Sequence, residues 1–523
     1  MNHKFLFATI FFLIISCSKQ VEFQLKNGIL FENITYISAD RNERISQEPG
    51  YVLTDVGKII YVGKKRPQIT GNFRSISGSN KFLSPGLIDS HVHLANVAGL
   101  NRKQQRENQK LVQAYYQQLP KSFLYFGFTT LIDANNYAPQ RIKQLREAAV
   151  GPDIYTFGEM IQVMNDFTME MDELSQTERY QTNFLYDPYN QQLQIPDSID
   201  LAPHTAKRIV ADLIRGQQNI GIKILYEDES SGLPVTWMQP SLELIKDLVS
   251  ESHHYNVPFM IHAPSYHAQK IAIEAGVDII AHAMWNLTAE PEHFLDTILT
   301  TAHQDFLTEI AKKRIAYQPT FRTILAEADI VSNQFLDDPE LGHVYPQALI
   351  EFLKSDGDWI RKRIVNRPNF IKRVNPSLYQ AIRAHFNSDS EMVNRLYDFY
   401  NVKLTKITRF LAERNANLLL GSDGVALNMY SNPPGYNGFL EMKHWYNAGV
   451  KLDRIFLAAT INNAVAVHLD DRYGSIETGK LANLLVLNSN PLNDINAYND
   501  IDYVIVHGKA YKRNELAADK NQD

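Results

Sequence analysis

A single cysteine, Cys17, stands in 523 residues, so no disulfide can form within the chain and no disulfide framework supports it. An excess of one charge is missing too. The formal net charge is −6 with both signs interspersed, a balance that does not point to a nucleic-acid partner. Long apolar runs are also scarce: Phe5 to Ile15 is almost wholly apolar, yet too short to span a bilayer comfortably. What remains is an ordinary globular composition, 44% hydrophobic and 21% charged. The chain is too long for one small domain and long enough to bury a large core.

The first residues read as a targeting segment rather than part of the fold. Lys4 gives a positive flank to the apolar stretch, which ends Leu13-Ile14-Ile15-Ser16-Cys17. That ending resembles the bacterial lipobox, in which the cysteine is lipidated and becomes the new N-terminus; an ordinary secretory signal is the alternative. The expectation is a signal peptide over 1–16, a tether over 17–22, and a mature protein of the bacterial cell envelope, periplasmic or on the outer membrane. Acyl chains on Cys17 would be its only membrane contact.

From Phe23 to residue 84, short β-type runs alternate with turn residues: Gly28-Ile29-Leu30-Phe31, Ile34-Thr35-Tyr36-Ile37 and Ile59-Ile60-Tyr61-Val62-Gly63. Such spacing predicts small antiparallel sheets. Leu484-Leu485-Val486-Leu487 and Tyr503-Val504-Ile505-Val506 have the same character. Residues 23–84 and 474–513 are therefore read as two parts of one small β-sandwich domain built from both termini. The tail over 514–523 is polar and reads as disordered.

Between those parts, 85–473 alternates short apolar runs with amphipathic stretches. Candidate strands are Gly86–His93, Thr129–Asp133, Asp153–Gly158, Gly221–Tyr226, Pro258–His262, Ile279–His282, Ala316–Pro319 and Asn417–Asp423. Eight strands with helical patterns between them predict an α/β fold, a (β/α)8 TIM barrel, with a doubly wound open sheet as the alternative. The stretch 321–416 breaks the rhythm and reads as several helices, for instance Tyr345–Lys354 and Glu391–Glu413. An insert of that length often forms a lid or a pocket wall.

Catalytic groups of barrel enzymes sit at the C-terminal ends of the strands. The first candidate strand, leaving the Pro85-Gly86 turn, ends His91-Val92-His93, and the period of two points both imidazoles to one side. Neutral imidazole is a common ligand for zinc and its neighbours. The fourth strand carries Lys223 amid aliphatic residues, the fifth ends in His262, the sixth in His282 and the eighth in Asp423. A lone strand-end histidine is more often a satisfied polar residue than a ligand. Four histidines, a lysine and an aspartate in register are much harder to explain separately. His204, His253, His254, His267, His444 and His468 fall away from strand ends and are not read as ligands.

Pro85-Gly86-Leu87-Ile88-Asp89 followed by His91-Val92-His93, with the later residues in this order, closely resembles the amidohydrolase superfamily of metal-dependent hydrolases. Phe128–Asp133, Gly151-Pro152-Asp153, Ala459-Thr460, Ala464 and Gly474–Ala482 extend the likeness over nearly the whole mature chain. The match is nearest the imidazolonepropionase-like and prolidase-like branch. The resemblance implies His91 and His93 as ligands of one metal, and His262 and His282 as ligands of a second. It implies Lys223 as a bridging carbamate, and Asp423 as both ligand and proton carrier.

The physics agrees with that assignment. A protonated lysine is a poor ligand, but burial among Ile222, Ile224 and Leu225 favours the neutral amine that takes up carbon dioxide. The cofactor implied is a divalent metal, two per chain if Lys223 is carboxylated. Zinc is the first candidate, although the ligands also suit iron, manganese or cobalt.

The reaction expected is cleavage of a C–N bond in an amide, cyclic amide or dipeptide by metal-activated hydroxide, with Asp423 as general base and then general acid. Tyr226, Trp285 and Arg322 are candidates for substrate contact, Arg322 by pairing a carboxylate bidentately. Gly421-Ser422-Asp423 replaces the family's usual Gly-Thr-Asp, and Asn483 stands where an aspartate is usual; neither change touches the chemistry. The rivals are lactone or ester hydrolysis on the same site, and a non-catalytic binding lipoprotein that keeps the fold. The partner is a small molecule, and a homo-oligomer is left open.

Overall fold

The computed structural model describes residues 22–518 except 172–173, 217–218 and 229–236. Cys17 and the signal segment lie outside the described residues, as does all of the tether but Glu22, which begins a strand. No helix among the described residues is long and apolar enough to cross a membrane.

The strand Glu22–Ala39 is the axis of the β domain. Its later part pairs antiparallel with Ile45–Asp55, its earlier part runs parallel to Gln68–Ser77, and Thr35-Tyr36 lie beside Phe82-Leu83. Register shifts at Leu25/Gly28 and Phe31/Ile34 bend the strand so that it serves all three neighbours. Two of these pairings are parallel where antiparallel sheets were expected. The reason is that Gln68–Ser77 and Phe82–Pro85 each return to one long strand instead of extending a meander.

Alternate residues of Glu22–Ala39 face opposite ways. Ile29 and Phe31 join Val52, Leu83 and Val486 in one cluster, while Leu30 joins Leu25 and Leu53 in another. The strand therefore buries apolar side chains on both faces. Leu484–Leu487 pairs antiparallel with Phe82–Pro85, which ties the C-terminal strands to the N-terminal ones.

The middle of the chain is the α/β barrel. Leu87–Val92, Phe128–Asp133 and Asp153–Thr156 form one parallel run. Ile222–Leu225, Phe259–His262, Ile279–Ala281 and Ala316–Gln318 form a second. Ile220 N donating to Thr156 O at 2.9 Å and Ile161 N to Lys223 O at 3.0 Å join the two runs.

Residues 417–424 close the ring. On one side Leu419 N donates to Tyr317 O at 2.9 Å; on the other Asp423 N donates to His91 O at 2.8 Å and His93 N to Gly424 O at 2.7 Å. This eighth stave makes isolated bridges rather than a regular strand. A Cβ on Gly421 would meet that of His91 at 2.7 Å, and Asp423 adopts a left-handed φ of 55°, so the ladder is interrupted there. Ile88, Ile132, Met260, Ile279, Ala316 and Leu419, drawn from six of the eight staves, fill the interior together.

The 321–416 segment is helical, from Phe321–Ser332 to Asp389–Glu413, with Gln347–Asp356 close to the helix expected there. The tail corrects an expectation. Leu516 is fully buried, its carbonyl accepts from Gln118 Nε2 at 3.1 Å, and Ala518 N donates to His343 O at 2.8 Å. Residues 514–518 are thus packed on the fold and not disordered, and 519–523 lie outside the described residues.

Trp445, on the helix Tyr436–Asn447, is fully buried and donates to Glu441 Oε1 at 2.7 Å. Trp445→Ala should cost about 3–5 kcal/mol of stability, read from the urea unfolding midpoint of the full-length protein.

Candidate metal centre

The barrel brings all of the expected ligand residues to one mouth. His91 is fully buried, and its Nε2 lies 2.8 Å from Lys223 Nζ and 3.2 Å from Asp423 Oδ1. His93 Nε2 is 2.9 Å from the same Asp423 oxygen. The ring of His282 sits 5.5 Å from that of His91 and 4.4 Å from that of His262. One ligand atom from each of His91, His93 and Asp423 falls within 4.8 Å of the others, close enough to share an ion. The site residues cluster at strand ends because closure of the ring sets His91, His93 and Asp423 side by side.

Partners behind the ligands fix their orientation. His91 Nδ1 lies 3.0 Å from Gln318 Oε1, whose amide donates to Ser90 Oγ at 2.8 Å. An amide oxygen only accepts, so His91 carries its proton on Nδ1 and turns the Nε2 lone pair to the centre. His282 Nδ1 is 2.7 Å from Thr320 Oγ1, and Asp423 Oδ2 accepts from Thr323 Oγ1 at 2.8 Å. Three of the residues here, His282 (φ 80°), Thr320 (φ 47°) and Asp423 (φ 55°), hold left-handed backbone, a strain that gathers at working sites.

Burial sets the protonation states. It pushes His91 and His282 well below the usual histidine range, with Lys223 reinforcing the effect on His91 and His262 reinforcing it on His282. Burial also pulls Lys223 down to about 8, against the opposing charges of Asp423 and Asp133. On Asp423 burial acts upwards, but His91, His93 and His282 around it outweigh that and keep the carboxylate ionised. Neutral imidazoles and an ionised carboxylate are the donor forms a divalent cation requires, so the residues fit the ion.

The proposed substrate contacts fare differently. Trp285 is half-buried, with its ring 5.3 Å from that of His282 and 6.2 Å from that of His262, and so walls the centre. Tyr226 is buried, its ring 6.3 Å from His267. Arg322 is corrected. Its guanidinium is buried and donates to Asp329 at 2.7 Å, Asn437 at 2.9 Å and Ser431 O at 2.5 Å, so its donors are committed to the fold and not to a substrate carboxylate.

Gln318, Thr320, Thr323 and Glu227 were not foreseen as site residues. Gln318 ends the seventh strand and Thr320 and Thr323 follow it, so the strand-end rule could have found them. Glu227 lies four residues past Lys223 with its carboxylate 2.8 Å from His262 Nε2. Acidic residues are mostly exposed, and nothing local marked this one as buried.

Residues 82–511 match the model of the Amidohydrolase family. No curated protein sequence matches the chain. Among solved structures, a Xaa-Pro dipeptidase with bound methionine aligns at 17% identity and a TM-score of 0.57, covering 93% of this chain and 100% of that one. The ochratoxinase of A. niger aligns at 18% and 0.59 over 93% and 96% of the two chains. A molinate hydrolase aligns at 19% and 0.58 over 94% and 96%. At these identities the structures establish a shared fold.

The Lys223 shift predicts a pH dependence. Between about pH 8 and 10.5 the unfolded chain holds this proton and the folded one does not, so stability rises with pH across that window. Metal-stripped protein in bicarbonate-free buffer should therefore gain unfolding free energy over that range relative to Lys223→Met. Urea titrations at each pH check it, and a flat or falling difference would contradict it.

Proposed function

The chain belongs to the amidohydrolase family, and on that footing we propose that it cleaves a carbon–nitrogen bond in a small amide, cyclic amide or dipeptide. The observation that carries this reading is the convergence of His91, His93, Lys223, His262, His282 and Asp423 at one barrel mouth. His91, His93 and Asp423 would hold one ion, and His262 and His282 a second, with carboxylated Lys223 between them. Zinc is the metal that suits a histidine-rich set of this kind. Bound there, divalent ions supply Lewis acidity, polarising a carbonyl and lowering the pKa of water from 15.7 to about 7.

The protein's own groups do the rest. Lys223, with its pKa drawn down to about 8 by burial, exposes neutral amine to carbon dioxide near physiological pH. Carboxylation would also replace a cation 2.8 Å from His91 Nε2 with an anion, which turns a repulsive neighbour of a metal ion into an attractive one. Asp423 takes the proton of the attacking water and returns it to the leaving nitrogen, base first and acid second. Thr323, at the start of the helical insert, holds that carboxylate by its Oδ2. Trp285 gives the substrate a flat apolar wall beside His262 and His282.

A dipeptide heads the substrate classes because one structural neighbour is named as a Xaa-Pro dipeptidase. The lipobox-like ending at Cys17 adds the proposal that the enzyme works in the cell envelope on an acyl anchor.

Asp423→Asn should keep most of its bound metal and lose at least about 10²-fold in kcat, measured on whichever amide a library of dipeptides, acyl-amino acids and lactones identifies. Turnover at the wild-type rate would remove Asp423 as proton carrier. For the carbamate, metal analysis of Lys223→Ala with and without bicarbonate should show less than the wild-type content in both. Two ions per chain in the variant would sink the bridge.

A further inference from the structure

Glu227 and His262 form a contact that the mechanism above does not use. It belongs to a short zipper between the ends of the fourth and fifth strands. Tyr226 N donates to His262 O at 3.0 Å, Glu227 Oε2 lies 2.8 Å from His262 Nε2, and Asp228 Oδ2 accepts from Ser265 Oγ at 2.7 Å. The segment is also held from behind. The backbone carbonyl of Glu227 accepts from the indole of buried Trp237 at 2.6 Å, and Trp237 stands edge-on against Phe167 at 5.0 Å. Glu227 itself is only 8% exposed.

An ionised carboxylate only accepts, so the proton between the two groups belongs to His262 Nε2 and the lone pair of that ring is on Nδ1. This reverses the arrangement at His91, whose Nδ1 is taken by Gln318 and whose Nε2 faces the centre. At His282, too, Nδ1 is engaged, by Thr320. We propose that Glu227 is a positioning residue that commits His262 to bind its metal ion through Nδ1, while His91 and His282 bind through Nε2. The inference rests on the metal-dependent reading and adds to it one residue outside the ligand set. Carboxylates placed behind a ligating histidine are worth about 10- to 100-fold in metal affinity.

The test is a calorimetric titration of metal-stripped, full-length protein with cobalt(II), comparing wild type, Glu227→Gln and Glu227→Asp, with thermal unfolding of each metal-free form alongside. The wild type should bind two ions. Glu227→Gln, whose amide can donate to Nε2 and favour the other tautomer, should weaken one of the two by about 10- to 100-fold and leave the other unchanged. Its metal-free unfolding temperature should stay at the wild-type value. Glu227→Asp, with a shorter reach, should show the same selective loss at smaller size, and it carries the test if the glutamine variant folds poorly.

Unchanged binding of both ions in the variants would overturn the proposal. So would equal weakening of both ions together with a lowered unfolding temperature, which marks a general structural role. A wild type that binds no divalent ion would instead overturn the hydrolase reading itself.

Discussion

Closure of the barrel between its first and last staves is the constraint on which the molecule depends. Two backbone hydrogen bonds, Asp423 N to His91 O at 2.8 Å and His93 N to Gly424 O at 2.7 Å, fasten residues more than three hundred positions apart. They set the first histidine pair against the only carboxylate of the expected ligand set. Gly421 lets the two staves approach, since any side chain there would collide with His91. Without that closure each ligand would be an isolated polar residue at a strand end. With it, three donors from distant parts of the chain share one point.

The same closure buries His91, Lys223, His282 and Asp423, and burial then decides the charges. Imidazoles that would titrate near neutrality in water are kept neutral, a lysine is brought down to about 8, and a carboxylate stays charged only because histidines surround it. Such a cluster is costly to bury without a cation to gather it, and the left-handed residues His282, Thr320 and Asp423 add backbone strain. A divalent ion answers the electrostatic part of that cost, which is why the donor forms and the strain fit a metal-binding mouth better than a structural polar cluster. Stability at this end of the barrel is given up for geometry. The opposite needs are met elsewhere, in the sandwich and in the aliphatic interior around Ile88, Met260 and Leu419.

Much of this was legible in the sequence because strand periodicity and strand-end placement are local signals. His91-Val92-His93, Lys223, His262, His282 and Asp423 fell at the ends of apolar runs, and the order of those runs implied the barrel. What was not legible depended on contacts made far along the chain. Arg322 looked like a free guanidinium until the fold surrounded it with Asp329, Asn437 and Ser431. The polarity of the tail concealed Leu516, whose burial needs the helix that carries Gln118. Glu227 had no signal in the sequence, since only the pairing of the fourth and fifth strands brings it to His262. The parallel pairings of Glu22–Ala39 were hidden for a related reason: turn residues mark where strands stop, not which neighbour they choose.

If the barrel mouth is a metal centre built from these strand-end residues, bound ions will lie among them. Anomalous diffraction from crystals of the protein grown with zinc tests it most directly. Two peaks are expected, one bounded by His91, His93 and Asp423 and one by His262 and His282, with density joining Lys223 to both. An absence of any peak within coordination reach of His91, His93 and Asp423 would contradict it.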